Sequence, residues 1–161
     1  MTRFKNQNGF AEIEIVLVLM IIAILSGVAL PKISKTLDIA RLDYETKRFI
    51  SEFYFAKSFS RSSKFEPSIF SYSVYGGKNV IFTVASRSYT VKIGDTPVHE
   101  KYTLPKKFQI KKDDVPTDLI FSDGKLSKHV SGSLTIISPQ GNSRKIIFDS
   151  VDRIHSERKF D

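Results

Sequence analysis

The chain has 161 residues, 25 of them Lys or Arg against 17 Asp or Glu, for a net charge of +8, and it has no cysteine. Beside the apolar N-terminal stretch there is room for one small globular domain of roughly 100 residues, which excludes a multidomain enzyme. The lack of cysteine excludes a disulfide framework and a Cys-based metal site, so the domain must hold itself by core packing even in an oxidising compartment.

Residues 1–9 are a polar leader carrying Arg3 and Lys5 and ending at Gly9. Phe10 follows, then Glu12 and Glu14, and from Ile15 to Leu30 only Ser26 and Gly27 interrupt the apolar run. As a helix, the stretch from Phe10 to Leu30 spans about 30 Å, enough to cross a bilayer. Basic residues ahead of it predict that this end stays in the cytoplasm while the C-terminal part crosses. A secretory signal peptide is the alternative, with Gly27-Val28-Ala29 as a loose small-x-small cleavage site, but two acids heading the apolar core and the length of the run argue against it.

A carboxylate near the hydrocarbon region costs roughly 2.5–3.5 kcal/mol and calls for a named partner. Cleavage after Gly9 would create an α-amino group on Phe10. That amine can pair in low dielectric with Glu14 of a neighbouring copy, which makes Glu14 an assembly residue.

The segment Gly9-Phe10-Ala11-Glu12-Ile13-Glu14, with the apolar run and Pro31 behind it, resembles the type IV pilins and the pseudopilins of type II secretion and competence systems. In that family a prepilin peptidase cuts after the glycine and N-methylates the new terminal residue, usually phenylalanine. A glutamate stands fifth in the mature chain and a proline twenty-second, the places held here by Glu14 and Pro31. Ala11 replaces a common threonine, and Glu12 stands where the family usually has an apolar residue. The resemblance implies other pilin or pseudopilin subunits, the prepilin peptidase and an inner-membrane assembly platform as partners. It also implies a bacterial inner-membrane location, single-pass, before extraction into a periplasmic or extracellular filament.

Beyond Pro31 the apolar pattern becomes one-sided. Ile39, Leu42, Phe49, Phe53 and Ala56 recur at three- and four-residue steps, and Gly and Pro are absent from Lys32 to Glu66, which predicts an amphipathic helix. One long helix from about residue 11 to about 62 is expected, kinked near Gly27 and Pro31. The expected organisation is a cleaved leader at 1–9, a transmembrane and assembly helix at 10–31, an amphipathic helix at 32–65 and a β domain at 66–161.

From Glu66-Pro67 onward the signals are those of strands: Ile69–Val74, Val80–Ala85, Ser88–Ile93, Phe108–Lys111, Leu119–Ser122, Ser133–Ser138, Arg144–Phe148 and Val151–His155. Gly76-Gly77, Gly94-Asp95, Asp123-Gly124 and Pro139-Gln140-Gly141-Asn142 mark turns, the last two suggesting hairpins. The fold class expected is α+β, a helix packed on an antiparallel sheet or small β-sandwich. Phe55-Ala56-Lys57-Ser58 and the Leu119 to Gly124 turn region look like features of minor pilins and pseudopilins of the H-type or FimT-like branch, or of the competence D-type minor pilin.

No catalytic constellation is visible and no cofactor is expected, so the chain reads as a non-enzyme. His99, His129 and His155 are isolated in sequence and belong to surface or edge strands. Asp113, Asp114, Asp118 and Asp123 gather near one another, but their spacing fits no standard calcium loop and Lys111, Lys112 and Lys125 neutralise the group. From Arg41 onward the chain has 21 basic residues against 14 acidic ones, a surplus of 7. A solubilising surface accounts for much of this. Arg144, Lys145, Arg153, Arg158 and Lys159 form a candidate DNA-contacting patch, which would suit a minor pilin in a DNA-uptake machine; a secreted substrate is the other candidate partner.

Overall fold

A long helix, α1 (Asn8–Ser62), opens the chain, and ten strands follow. The computed structural model describes residues 8–62, 79–149 and 153–158. The chain divides into two compact units, 1–37 and 38–161. The expected strand at Ile69–Val74 and the Gly76-Gly77 turn lie outside the described residues.

In the first unit the helix runs unbroken through Gly27 and Pro31. Proline has no N–H to give to the carbonyl four residues back, so the Gly27 carbonyl lacks its ladder bond without the helix ending there. What sets the segment apart is exposure. Every described Ile, Leu, Val and Met from Ile13 to Leu37 is at least half exposed.

The second unit is α+β. The strands are β1 (Val80–Val84), β2 (Ser88–Ile93), β3 (Thr96–Pro97), β4 (Tyr102–Thr103), β5 (Gln109–Asp113), β6 (Asp118–Ser122), β7 (Lys125–Leu126), β8 (Gly132–Ile137), β9 (Ser143–Asp149) and β10 (Arg153–Arg158). They form two antiparallel sheets. One has the order β3-β2-β1-β6-β7, with β4 also on β2; the other has the order β10-β9-β8-β5. The chain therefore visits the second sheet at β5, returns for β6 and β7, and goes back for the last three strands.

Turn chemistry sets the registers. Asp123 and Gly124 both have positive φ, 54° and 74°, joining Ser122 to its partner Lys125 by the two-residue loop that suits strand twist. Gly94, at φ 58°, begins the equivalent loop between Ile93 and Thr96. Gly132 is fixed by crowding instead, since a Cβ there would lie 2.7 Å from the Asp113 carbonyl oxygen on the neighbouring strand.

Leu42, Phe49, Phe53 and Ala56 of α1 are fully buried, on the face their spacing predicts, while Ile39 is half-buried. They join Val80, Phe82, Val84, Tyr89 and Val91 from the first sheet and Leu134, Ile136, Ile146 and Phe148 from the second. Phe53 ties all three layers together. Its ring meets Phe82 and Phe121 edge-on at 6.2 and 5.2 Å, and Phe148 of the other sheet at 5.7 Å.

Candidate functional site

The first candidate is the N-terminal helix. Gly9 and Phe10 lie in its opening turn, and Glu12 and Glu14 are exposed within it. An 18-residue window there reaches a mean hydropathy of 2.8 with none of it buried, so one helix near the N-terminus is long and apolar enough to cross a membrane. Fourteen large apolar side chains from Ile13 to Leu37 are exposed. At roughly 1.5–3 kcal/mol for a fully exposed side chain, leaving these half-exposed ones in water forgoes on the order of 15–20 kcal/mol, as much as a domain's whole stability of about 5–15 kcal/mol. A surface of this kind is that of a membrane-spanning helix or a signal sequence.

The two glutamates cannot share one partner. At 100° per residue they point about 200° apart, whereas residues 10 and 14 share a face and helical side chains tilt back towards the N-terminus. Glu14 thus leans towards residue 10, and Glu12 points away from it.

The second candidate is the set of polar residues by which α1 is held within the 38–161 unit. Asp38, buried, accepts hydrogen bonds from the Ser138 hydroxyl and from Asn142 Nδ2, the latter at 2.8 Å. Asp43 accepts from Arg144 Nε at 2.7 Å. Glu45, also buried, takes the Tyr102 hydroxyl on both oxygens, at 3.1 and 2.9 Å. Arg48 lies over the Tyr102 ring, 3.6 Å from its centroid, and Glu52 pairs with His99 at 2.9 Å. Farther along, the Ser60 hydroxyl accepts the Gly124 amide at 2.9 Å.

Burial pushes the Tyr102 phenol above its ordinary value, helped by its hydrogen bond to Glu45 and the Glu45 charge. Burial also raises the Tyr89 phenol far up, against the opposing pull of Arg48. For Arg48 burial works against the charge, but Tyr102, Tyr89 and Tyr44 outweigh it and the guanidinium stays firmly protonated.

Of the candidate DNA patch, the side chains of Arg144, Lys145 and Arg153 are described. Arg144 faces the helix, its side chain only 12 % exposed and paired with Asp43, so its guanidinium is engaged within the fold. Lys145 and Arg153 lie on the opposite face of that sheet, and Lys145 is directly across from Glu157. The side chain of Arg158 and all of Lys159 lie outside the described residues. Phe148 is buried in the core, with no face for a base to stack on.

Among the described residues no three His, Cys, Asp or Glu side chains are placed to hold a metal ion. Asp113 ends β5, Asp114 and Asp123 adopt positive φ in turns, and Asp118 begins β6. His129 and His155 are exposed; His99 is the one the sequence misplaced as isolated, because Glu52 is 47 positions away. No protein-family model, curated protein or solved structure matches the chain.

Proposed function

We propose that the chain is a structural subunit of a type IV pilus-like filament, of the minor pilin or pseudopilin class. The observation that carries the proposal is the coincidence of the Gly9-Phe10…Glu14 motif with an apolar helix segment whose described large apolar side chains are at least half exposed. In this reading the subunit sits N-in across the bacterial inner membrane, anchored by residues 10–31. Prepilin peptidase cuts after Gly9 and methylates Phe10. An assembly platform then lifts the subunit into a filament in which apolar helices exchange lipid for one another.

Glu14 supplies register. Its charge is tolerable in an apolar core only when paired, so a subunit seats fully only where a Phe10 amine meets its carboxylate. Glu12, on another side of the helix and nearer the end, stays at the head-group level or meets a different neighbour. The 38–161 unit remains outside the helical core of the filament as the variable, partner-facing part.

Glu14→Ala removes the register contact without removing the anchor. The membrane-bound precursor should be retained and still cleaved, while the sheared filament fraction loses the subunit by tenfold or more. N-terminal sequencing of the mature protein should begin at methylated Phe10. An intact Met1, or normal incorporation of the Glu14→Ala subunit, would overturn the proposal.

A further inference from the structure

β10 ends the second sheet, and one contact fixes the direction of its backbone groups. Ile154 lies opposite Phe148 of β9, and its amide and carbonyl both meet the Tyr54 hydroxyl instead of β9. Backbone groups alternate sides along an antiparallel strand, so the amides and carbonyls of Ser156 and Arg158 point to the same outer side, while those of Arg153, His155 and Glu157 face β9. No strand among the described residues pairs with that outer side.

Side chains alternate as well. Ile154 is buried in the core, whereas Ser156, on the same face of the sheet, is exposed. The helix therefore covers the edge at Ile154 and leaves it open at Ser156. On the opposite face Arg153, His155 and Glu157 are all exposed. Charged side chains are the usual guard of an edge strand. Here their signs differ, so the guard that repels other strands matches an inverted copy of itself.

Only a few registers let β10 pair antiparallel with its own copy. Those that depend on Ile154 are closed by Tyr54. Pairing Ser156 with the partner's Arg158 sets Glu157 against the partner's Glu157, and like charges directly opposite are destabilising. Pairing Arg158 with the partner's Arg158 keeps only the last residue of the strand in the ladder. Pairing Ser156 with the partner's Ser156 avoids all three faults. It gives two reciprocal hydrogen bonds at Ser156 and places His155 opposite the partner's Glu157, twice, at the closely spaced positions where side chains meet. A histidine ring N–H can donate to a carboxylate whether or not the ring is charged. Glu157 would then lie between Lys145 of its own sheet, directly across from it, and the partner's His155.

We propose that β10 is an interface for a second copy of this chain, the two strands pairing antiparallel about a two-fold axis at Ser156 and joining their four-stranded sheets into one. The ladder is short, so the dimer is a weak one that suits copies already held side by side in one membrane. β10 carries this interface whether or not the subunit enters a filament.

The test uses the full chain in detergent micelles. The chain has no cysteine, so Ser156→Cys introduces a single thiol, and a hydrogen-bonded antiparallel pair holds its Cα atoms about 5.5 Å apart, within disulfide reach. Mild oxidation should cross-link Ser156→Cys at least tenfold faster than Ser122→Cys, at an exposed position on the first sheet. Sedimentation equilibrium should show a dimer that Ser156→Pro weakens about tenfold, through the loss of two ladder hydrogen bonds. The Ser156 amide takes no part in the ladder of its own sheet, so proline is tolerated there and the melting temperature should hold. If that variant nevertheless fails to fold, Glu157→Lys decides: it sets a cation against the partner's His155 and should weaken the dimer about threefold. Three results would each overturn the proposal. They are cross-linking at Ser156 no faster than at Ser122, a dimer indifferent to the deciding variant, and exchange of the Ser156 amide that is the same at every protein concentration, as when another part of the chain covers the edge.

Discussion

Residues 12–37 and 38–60 belong to one helix and treat their side chains in opposite ways. In the first stretch the large apolar groups point to every side and all of those described are at least half exposed. In the second one face buries Leu42, Phe49, Phe53 and Ala56 completely, while Tyr44, Tyr54 and Phe55 stay exposed. Helix propensity does not distinguish the two stretches, since both are long runs without a breaker apart from Gly27 and Pro31. Periodicity does. A helix apolar all round has to find its surroundings outside its own chain, whereas one with a stripe finds them in its own sheets.

The polar residues sharpen the contrast. In 12–37 the carboxylates Glu12 and Glu14 are exposed among apolar side chains. In 38–60 each of the four acids on the helix is answered within the fold: Asp38 by Ser138 and Asn142, Asp43 by Arg144, Glu45 by Tyr102, Glu52 by His99. An amphipathic pattern read only for apolar residues therefore undercounts what holds this helix down.

The largest break in that comparison is Phe53→Ala. Phe53 has no exposed surface and touches rings from both sheets, so its loss should cost about 3–5 kcal/mol through lost burial and the cavity left behind. Chemical denaturation of the full chain in micelles, followed by near-UV circular dichroism of the tyrosines, measures this. The apolar stretch should keep its helix throughout, because nothing in 12–37 depends on that core. Simultaneous loss of both would show that the two stretches fold as one.

Asp38→Ala is next. Asp38 is buried and accepts from two groups of the β8–β9 turn, and its removal strands both donors, at about 2 kcal/mol. Amide exchange should rise first at Gly141 and Asn142. The Gly141 amide bonds the Ser138 carbonyl, and Ser138 in turn donates to Asp38. Unchanged exchange in that turn would show that Asp38 is not what orders it.

How much of this was legible in the sequence depends on the range of each interaction. The helix, the α+β class and seven of the strands follow from periods of 3.6 and 2 and from glycine-marked turns, all local signals. The two-residue strands β3, β4 and β7 carry no period at all; they exist because β2 and β6 offer edges to pair with. The choice between one sheet and a small sandwich stayed open in the sequence, since it depends on β5 leaving the first sheet and β6 returning to it. Arg144 read as a surface cation because its partner Asp43 is 101 positions away, and the unpartnered hydroxyls of Tyr89 and Thr90 sit in a run that reads simply as a good strand.

Tyr54 gives the smallest and most selective test, because it is exposed by area yet engaged by function. Its hydroxyl donates to the Ile154 carbonyl at 3.2 Å and accepts the Ile154 amide at 3.5 Å, so it covers both backbone groups of one residue on β10, which ends its sheet. Unpaired edges recruit other strands, and a hydroxyl from the helix blocks that here. Tyr54→Phe keeps the ring against Phe53, 5.7 Å away, and deletes only the cap, so the cost should be about 1 kcal/mol, with faster exchange of the Ile154 amide and little change elsewhere. The same variant should raise the self-association of the full chain in micelles, measured by sedimentation. Equal exchange at Ile154 in both proteins would show that the edge needs no cap, and that Phe53, Asp38 and Asp43 hold the second sheet without it.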